Sequence, residues 1–310
     1  MFKLITVFGA TGMQGTSVIN HILDDPHLRE EFRIRGVTRD ITKSAAKALL
    51  NRNIDIVTAD LNIASTIIPA IRDSHTLFLV TDYWAHQDPN TEFEQGKNVI
   101  DVAKAAGVKH VIFSSLDSAI WQTDGRYKYV GHREGKARVE EYRRASGMAW
   151  TSVLVGYYMS NFLGLVERVF CGEGEEYRLR YPFEGRRAVL PLVDAERDVG
   201  VFVGAALKDP DGFAGRRVLA ADRYYSAQEV METFCCVTGK QGVFRQATPK
   251  EFRDLAPEGC GLEYMETHKM IDEYGYFMGG VGELNESLQL VQGSTSSLTE
   301  YFRRVSSHWD

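Results

Sequence analysis

The chain has 310 residues, of which 44% are hydrophobic and 25% are charged, the composition of a globular protein with one large domain or two modest ones. The formal net charge of -6 argues against a general electrostatic surface for nucleic acid. No apolar run approaches the ~20 residues that a membrane span requires.

The cysteines and histidines give no support for metal chemistry. The four cysteines lack paired spacing, and the eight histidines are scattered. We therefore expect reduced thiols, no bound metal and a cytoplasmic or also nuclear location. The first strand begins close to the start of the chain, so we expect no secretory signal. The cysteines are Cys171, Cys235, Cys236 and Cys260.

A strand, a tight turn and a helix are predicted in the stretch VFGATGMQGTSVI. Apolar residues precede the glycines, and those that follow recur at helical spacing. Gly9 can form the turn, Gly12 can let a phosphate approach the backbone, and Gly15 can let the helix pack closely on the strand. The N–H groups and the dipole of the helix start favour a diphosphate. This context predicts a dinucleotide site.

Strands and helices alternate over the following sequence, with strand-like segments FRIRGVT, IDIVTAD, HTLFLVTD and HVIFSS. Alternation of this kind predicts a parallel sheet with helices on both faces, a doubly wound Rossmann-type α/β fold. Thr91 and Glu94 predict a capping box for a helix that runs to Ala106. A further helix is predicted from Arg133 to Ser146, followed by TSVLV as a sixth strand.

The alternation ends after the sixth strand, where short helices and strands mix. We expect an NADP(H)-binding Rossmann domain over residues 1–156 and a smaller, variable α+β domain over residues 157–310. Whether later segments return to the first sheet is left open. The capping boxes that mark two helix starts there are Ser226 with Glu229 and Thr248 with Glu251.

Side chains at the ends of the second and third strands could contact adenosine. Arg39 follows the second strand, where an arginine accommodates the 2′-phosphate of NADP and a carboxylate selects NAD. With Lys43 nearby, the sequence favours NADP(H) over NAD(H), although Asp40 could turn inward and Arg39 outward. Asp60 and Leu61 could hold adenine, or Asp60 could cap the next helix.

The end of the fourth strand is expected near the nicotinamide ribose. Thr81 and Asp82 would lie closest to the ribose. Tyr83 and Trp84 follow, and they could line a cleft or pack as ordinary core residues.

Reductases of this architecture commonly use Tyr-x-x-x-Lys, in which the lysine orients the ribose and lowers the pKa of the phenol. Lys136 stands at the start of a helix and is expected to contact cofactor or substrate, but His132 replaces the tyrosine one turn earlier. His132 could donate a proton near neutral pH, or it could be a surface histidine. Tyr127 and Tyr129 in the preceding loop could supply the hydroxyl instead.

An ordered set of motifs is distributed along the chain from Gly9 to Phe277: GATGMQG, VTRD, VTDYW, HREGKARVEEY, YYMSNF and EYGYF. Together they resemble the NmrA-like family, atypical members of the short-chain dehydrogenase/reductase superfamily. The resemblance implies a cleft between a dinucleotide domain and a smaller domain. The implied cofactor contacts are Gly9, Thr11, Gly12, Met13, Gln14 and Gly15 at the diphosphate, Arg39 at the 2′-phosphate, Asp60 and Leu61 at adenine, Thr81 and Asp82 at the ribose, Lys136 at the nicotinamide side, and Tyr157 to Asn161 along the cleft wall.

The resemblance implies two functions from different classes. Some members are NADPH-dependent reductases that rely on a lysine in this region, and others are regulators that bind NADP(H) and partner proteins. We expect an NADPH-dependent oxidoreductase that reduces a small organic carbonyl, imine or enone. The alternative, motivated by the missing Tyr-x-x-x-Lys, is a non-catalytic redox sensor that controls a regulatory protein. We expect no direct contact with nucleic acid or membrane under either hypothesis. An oligomer is possible under both.

Overall fold

The computed structural model describes residues 2–171, 174–291 and 293–310, and only the backbone of Cys171. The strands in these ranges are β1 (Lys3–Phe8), β2 (Phe32–Thr38), β3 (Asp55–Thr58), β4 (Thr76–Leu79), β5 (His110–Ser115), β6 (Trp150–Val155), β7 (Tyr157–Tyr158), β8 (Val166–Cys171), β9 (Gly174–Tyr181), β10 (Val189–Val193), β11 (Arg216–Ala220), β12 (Tyr224–Ser226) and β13 (Gly242–Gln246). The α-helices are α1 (Met13–Asp24), α2 (Pro26–Glu31), α3 (Ser44–Leu50), α4 (Ala64–Ala70), α5 (Pro89–Ala105), α6 (Ala119–Gln122), α7 (Gly131–Ala145), α8 (Phe162–Leu165), α9 (Val199–Lys208), α10 (Pro210–Phe213), α11 (Ala227–Thr238), α12 (Pro249–Asp254), α13 (Gly261–Tyr274), α14 (Gly280–Leu290) and α15 (Leu298–Val305).

The largest sheet in the described ranges has seven strands in the order β11-β6-β5-β4-β1-β2-β3, and all neighbours are parallel. The order reverses between β1 and β4, which makes the carboxyl ends of these strands a topological switch point. The predicted doubly wound Rossmann-type sheet is therefore confirmed.

Two apolar cores cover the opposite faces of this sheet. Consecutive strand residues point to opposite faces, so Val7 packs in one core and Phe8 in the other. Val18 and Val203 place α1 and α9 in the first core. Val99 places α5 in the second. Burial on both faces explains why β1 is mostly apolar, with apolar side chains at four of its six positions.

The later part of the chain adds two three-stranded sheets, β12-β10-β7 and β13-β9-β8, around a third core. Its centre is aromatic, with Phe162, Tyr181 and Phe234 among the buried side chains. Strand β11 lies late in the chain but pairs with β6 in the large sheet. The division into two domains at residue 156 stays a prediction.

Helix α5 begins earlier than the sequence predicts. Thr91 and Glu94 do not form the capping box. Asp88 is the N-cap instead, and its carboxylate accepts hydrogen bonds from two backbone N–H groups, one of them that of Thr91. Pro89 then occupies the first helical position, which suits its fixed φ and missing N–H. The N-cap Asp88 with Pro89 thus begins the helix, in place of the capping box predicted three residues later at Thr91.

The other helix starts agree more closely with the sequence. Helix α7 begins two residues before the predicted Arg133. The predicted capping boxes, Ser226 with Glu229 and Thr248 with Glu251, are both confirmed.

None of the helices in the described ranges is long and apolar enough to cross a bilayer. In the same part of the chain, no three His, Cys, Asp or Glu side chains are grouped as metal ligands. Cys235, Cys236 and Cys260 are free thiols, and the side chain of Cys171 lies outside the described residues.

Candidate functional site

A cleft of about 940 Å³ opens at the carboxyl ends of the central strands. One wall is the turn between β1 and α1, with the ends of β2, β3, β4 and β5. The other wall comes from the segment after β6 and from α13. Open α/β sheets bind ligands at this edge, beside the switch point.

The turn after β1 brings the backbone close to the cleft. Gly9 has a φ of +62°, a conformation that other residues adopt at a cost. Gly12 is the N-cap of α1, and no side chain caps the helix, so the first-turn N–H groups keep their hydrogen-bonding capacity. A Cβ on Gly15 would overlap the carbonyl oxygen of Gly9. The three glycines thus leave a helix N-terminus open to an anion.

At the end of β2, Arg39 lines the cleft, whereas Lys43 is exposed outside it as the N-cap of α3. The guanidinium of Arg39 donates a hydrogen bond to the carboxylate of Asp82 at 3.1 Å. Asp40 does not line the cleft. Its carboxylate accepts hydrogen bonds from the hydroxyl and N–H of Thr42, which lower the pKa of Asp40. The cation and not the carboxylate therefore reaches the cleft.

Asp60 and Leu61 also line the cleft, just after β3. The carboxylate of Asp60 accepts hydrogen bonds from the N–H and the side-chain amide of Asn62 and so closes a local turn. Helix α4 has Ile63 as its N-cap without any side-chain capping bond. Asp60 therefore does not cap that helix, and it remains exposed at the cleft.

Lys136 is held by three oxygen atoms. Its Nζ lies 2.9 Å from the carbonyl oxygen and from Oγ1 of Thr81, and 2.9 Å from Oε1 of Glu92. The Thr81 hydroxyl donates to the same carboxylate oxygen at 2.6 Å. The side chains of Lys136 and Glu92 are only 12% and 1% exposed. Because an ammonium has three donors, all of them are used here.

Glu92 was missed by the sequence reasoning, although a signal was present. It shares the buried face of α5 with Gly96, Val99 and Ala103, at helical spacing. A carboxylate on such a face requires a partner. Gly135 on α7 makes room for it, since a Cβ there would overlap the Glu92 carboxylate.

His132 is bonded to Glu263, a second residue that sequence reasoning missed. Nδ1 of His132 lies 2.7 Å from Oε1 of Glu263, and the backbone N–H of His132 donates to that atom at 2.9 Å. The Tyr83 hydroxyl donates to Oε2 at 2.8 Å. The Trp84 ring stacks on the imidazole, with centroids 5.5 Å apart. Tyr83 and Trp84 thus line the cleft and also pack against His132.

The loop tyrosines lie away from these groups. Tyr129 is 60% exposed, and its backbone N–H donates to Glu266. Tyr127 packs against Tyr274, and burial together with a hydrogen bond to Glu273 raises the pKa of Tyr127 to about 12. Neither tyrosine lines the cleft.

Tyr157, Tyr158 and Asn161 line the opposite wall. Nε2 of Gln14 donates to the Tyr158 hydroxyl at 2.5 Å, which ties the start of α1 to this wall. The Tyr157 hydroxyl lies 3.4 Å from Nε2 of His268. Burial lowers the pKa of His268 to about 4, and its Nδ1 donates to a backbone carbonyl. The part of this wall around Tyr157, Tyr158 and His268 is therefore aromatic and uncharged at neutral pH.

Residues 1–302 match the profile of the NmrA-like family, and the chain belongs to that family. It is 30% identical over 291 residues to the NmrA-like family domain-containing oxidoreductase lnaB of Aspergillus flavus, covering 90% of this chain and 85% of the relative. It is 30% identical over 334 residues to the similarly named malD of Malbranchea aurantiaca, covering 99% and 97%. The crystal structure of NmrA, a negative transcriptional regulator, in complex with NADP has a TM-score of 0.79 at 25% identity, covering 99% and 96%. The same regulator has also been solved with NAD.

Proposed function

We propose that this NmrA-like protein is an NADP(H)-dependent oxidoreductase that reduces a carbonyl, imine or enone of a small, largely apolar organic compound. One observation carries the proposal: a single cleft joins the glycine turn and Arg39 to His132 and Lys136. Two relatives at 30% identity are named oxidoreductases, and a 25% identical regulator binds NADP, which supports this assignment.

The residues at the switch point fit a dinucleotide. The open first turn of α1 suits a diphosphate. Arg39 reaches the cleft while Asp40 does not, which favours a 2′-phosphate. Ser115 at the end of β5 lines the cleft with a buried hydroxyl that has no partner in the described residues, and it suits a polar ligand atom.

Reduced NADP would supply the hydride that adds to the substrate carbon. His132 holds a proton on the edge of the cleft and gives it to the substrate oxygen or nitrogen that gains the electron pair. Hydride and proton together account for the two-electron reduction. Lys136 lines the same cleft, and Thr81 and Glu92 fix its ammonium just after β4. Tyr83 and Trp84 limit the access of water to His132.

The test follows NADPH absorbance with a panel of aldehydes, ketones, enones and cyclic imines. We expect oxidation with at least one compound, and a fall on the order of a hundredfold in His132→Gln and in Lys136→Ala. Tyr129→Phe is the control and should retain activity, since Tyr129 lies outside the cleft. Intact NADPH binding without oxidation of any compound would reject the proposal for these substrate classes.

A second function is favoured by the way in which Lys136 is bonded. All three donors of the Lys136 ammonium are bonded to protein, which leaves none for a cofactor ribose in this arrangement. The alternative is an NADP(H)-dependent regulator of a partner protein, and it is supported by the structural similarity to NmrA, a negative transcriptional regulator that has been solved with NADP. NADPH binding without turnover would support this alternative, and absence of binding would reject both functions.

A further inference from the structure

We propose that Glu263 is a positioning residue for His132: it fixes the proton of the neutral imidazole on Nδ1 and leaves Nε2 as the atom that exchanges a proton with the substrate. The inference rests on the proposed function, in which His132 is the proton donor. It adds a residue from α13, 131 positions later in the chain, to the catalytic arrangement.

The hydrogen bonds determine which nitrogen carries the proton. Oε1 of Glu263 lies 2.7 Å from Nδ1 of His132, and an ionised carboxylate can only accept. Nδ1 must therefore donate. Nε2 has no hydrogen-bond partner in the described part of the chain, and His132 lines the cleft. A charged imidazole then carries its second, transferable proton on Nε2.

The carboxylate is itself fixed. The Tyr83 hydroxyl donates to Oε2 at 2.8 Å, and the backbone N–H of His132 donates to Oε1 at 2.9 Å. Tyr83 lies against Gly131, where a Cβ would overlap its hydroxyl. The side chains of His132 and Glu263 are 19% and 13% exposed, so the pair is largely withdrawn from water. A partly desolvated pair of this kind interacts more strongly than an exposed one.

The protonation states of the neighbours agree with this role. Burial opposes ionisation of Glu263, but the hydrogen bonds from His132 and Tyr83 outweigh it and lower the pKa of Glu263. Burial and the bond to Glu263 raise the pKa of Tyr83 well above its usual value, so Tyr83 remains a donor. The other titratable groups around His132 and Tyr83 are His268 on α13, Cys260 at its N-cap, Glu92 on α5 and Lys136 on α7.

The first test is nitrogen NMR of the protein labelled with ¹⁵N-histidine, with His132→Gln used to assign the signals. At alkaline pH we expect the Nδ1–H tautomer of His132, and we expect Glu263→Leu, which has no acceptor, to lose that preference. Glu263→Gln keeps the side-chain volume and serves if the leucine variant does not fold. An Nε2–H tautomer in the unmodified protein, or a signal that no Glu263 variant changes, would overturn the proposal.

The second test compares Glu263→Gln with Glu266→Gln. Glu266 lies one turn further along α13 and accepts a backbone hydrogen bond from Tyr129 without contacting the imidazole. For Glu263→Gln we expect kcat to fall on the order of tenfold or more. The pH dependence of kcat in Glu263→Gln should also differ from that of the unmodified protein, because the imidazole has lost its carboxylate partner. Glu266→Gln should show neither effect.

Equal losses in both variants, or a lower kcat with an unchanged pH profile, would identify Glu263 as merely structural. The two tests also separate this inference from the proposed function. If the unmodified protein reduces none of the compounds, the proposed function fails, and the tautomer measurement still decides whether Glu263 positions His132.

Discussion

Arg39, which follows β2, and Asp82, which follows β4, form an ion pair at the cleft, and both side chains are more than half exposed. Such a pair adds little to stability. We propose that the pair acts in ligand selection, because a 2′-phosphate would compete with the Asp82 carboxylate for the same guanidinium. Arg39 would attract NADP(H), and Asp82 would oppose it.

We expect Arg39→Gln to weaken NADPH binding roughly tenfold or more, since a hydrogen bond to a charged group contributes about 1.5–3 kcal/mol. NADH binding should hardly change. Asp82→Asn should act in the opposite direction and tighten NADPH alone. Fluorescence titration of both dinucleotides measures this, with Lys43→Gln as the control outside the cleft. Equal weakening of NADPH and NADH in Arg39→Gln would contradict this role.

At the scale of elements, the sequence correctly predicted those helices, strands and turns that depend on neighbouring residues. The strand, turn and helix around Gly9 follow from residues adjacent in the chain, and the structure agrees. The predicted start of α5 was wrong because two capping signals compete there. Asp88 with Pro89 begins the helix instead of Thr91 with Glu94.

The local sequence pattern did not predict which side chains bond to the candidate catalytic residues. Glu263 reaches His132 only because α13 docks beside α7, and no spacing in the sequence encodes that contact. Glu92 was accessible in principle, as a carboxylate on a buried helix face. Its partner Lys136 depends on how α5 packs against α7. The sequence thus indicated residues that line the cleft, but it did not indicate the side chains that hold those residues in place.

Helices α5 and α7 are joined by the buried pair of Glu92 and Lys136. Removing one partner leaves an unpaired buried group, so we expect Lys136→Met to destabilise the protein by about 3–5 kcal/mol. The double variant Lys136→Met with Glu92→Leu should cost clearly less than the sum of the single variants. Urea unfolding of the four proteins measures the coupling. Strict additivity would show that the pair does not hold the helices together.

At the scale of the whole molecule, buried groups respond to pH in opposite directions. Burial lowers the pKa of His110 and of His268 to about 4. Their contribution to stability is therefore full above the unfolded value of 6.5 and is lost as the pH falls. Burial raises the pKa of Asp198 to about 6, from an ordinary 3.8. Its contribution is present at low pH and is lost as the pH rises through about 6.

Between pH 7 and pH 5 the two histidines outweigh Asp198, so acid should destabilise the protein. Each histidine costs about 2 kcal/mol over this range, and protonation of Asp198 recovers about 1 kcal/mol. When the pH falls from 7 to 5, His110→Gln should therefore lose less stability than the unmodified protein. Asp198→Asn should lose more, because its amide cannot take up the compensating proton. Urea unfolding at the two pH values measures both differences. Because one variant should lose less stability and the other more, general damage to the fold would not explain both results. If both variants kept the slope of the unmodified protein, the acid response would have to arise from groups other than these buried ones.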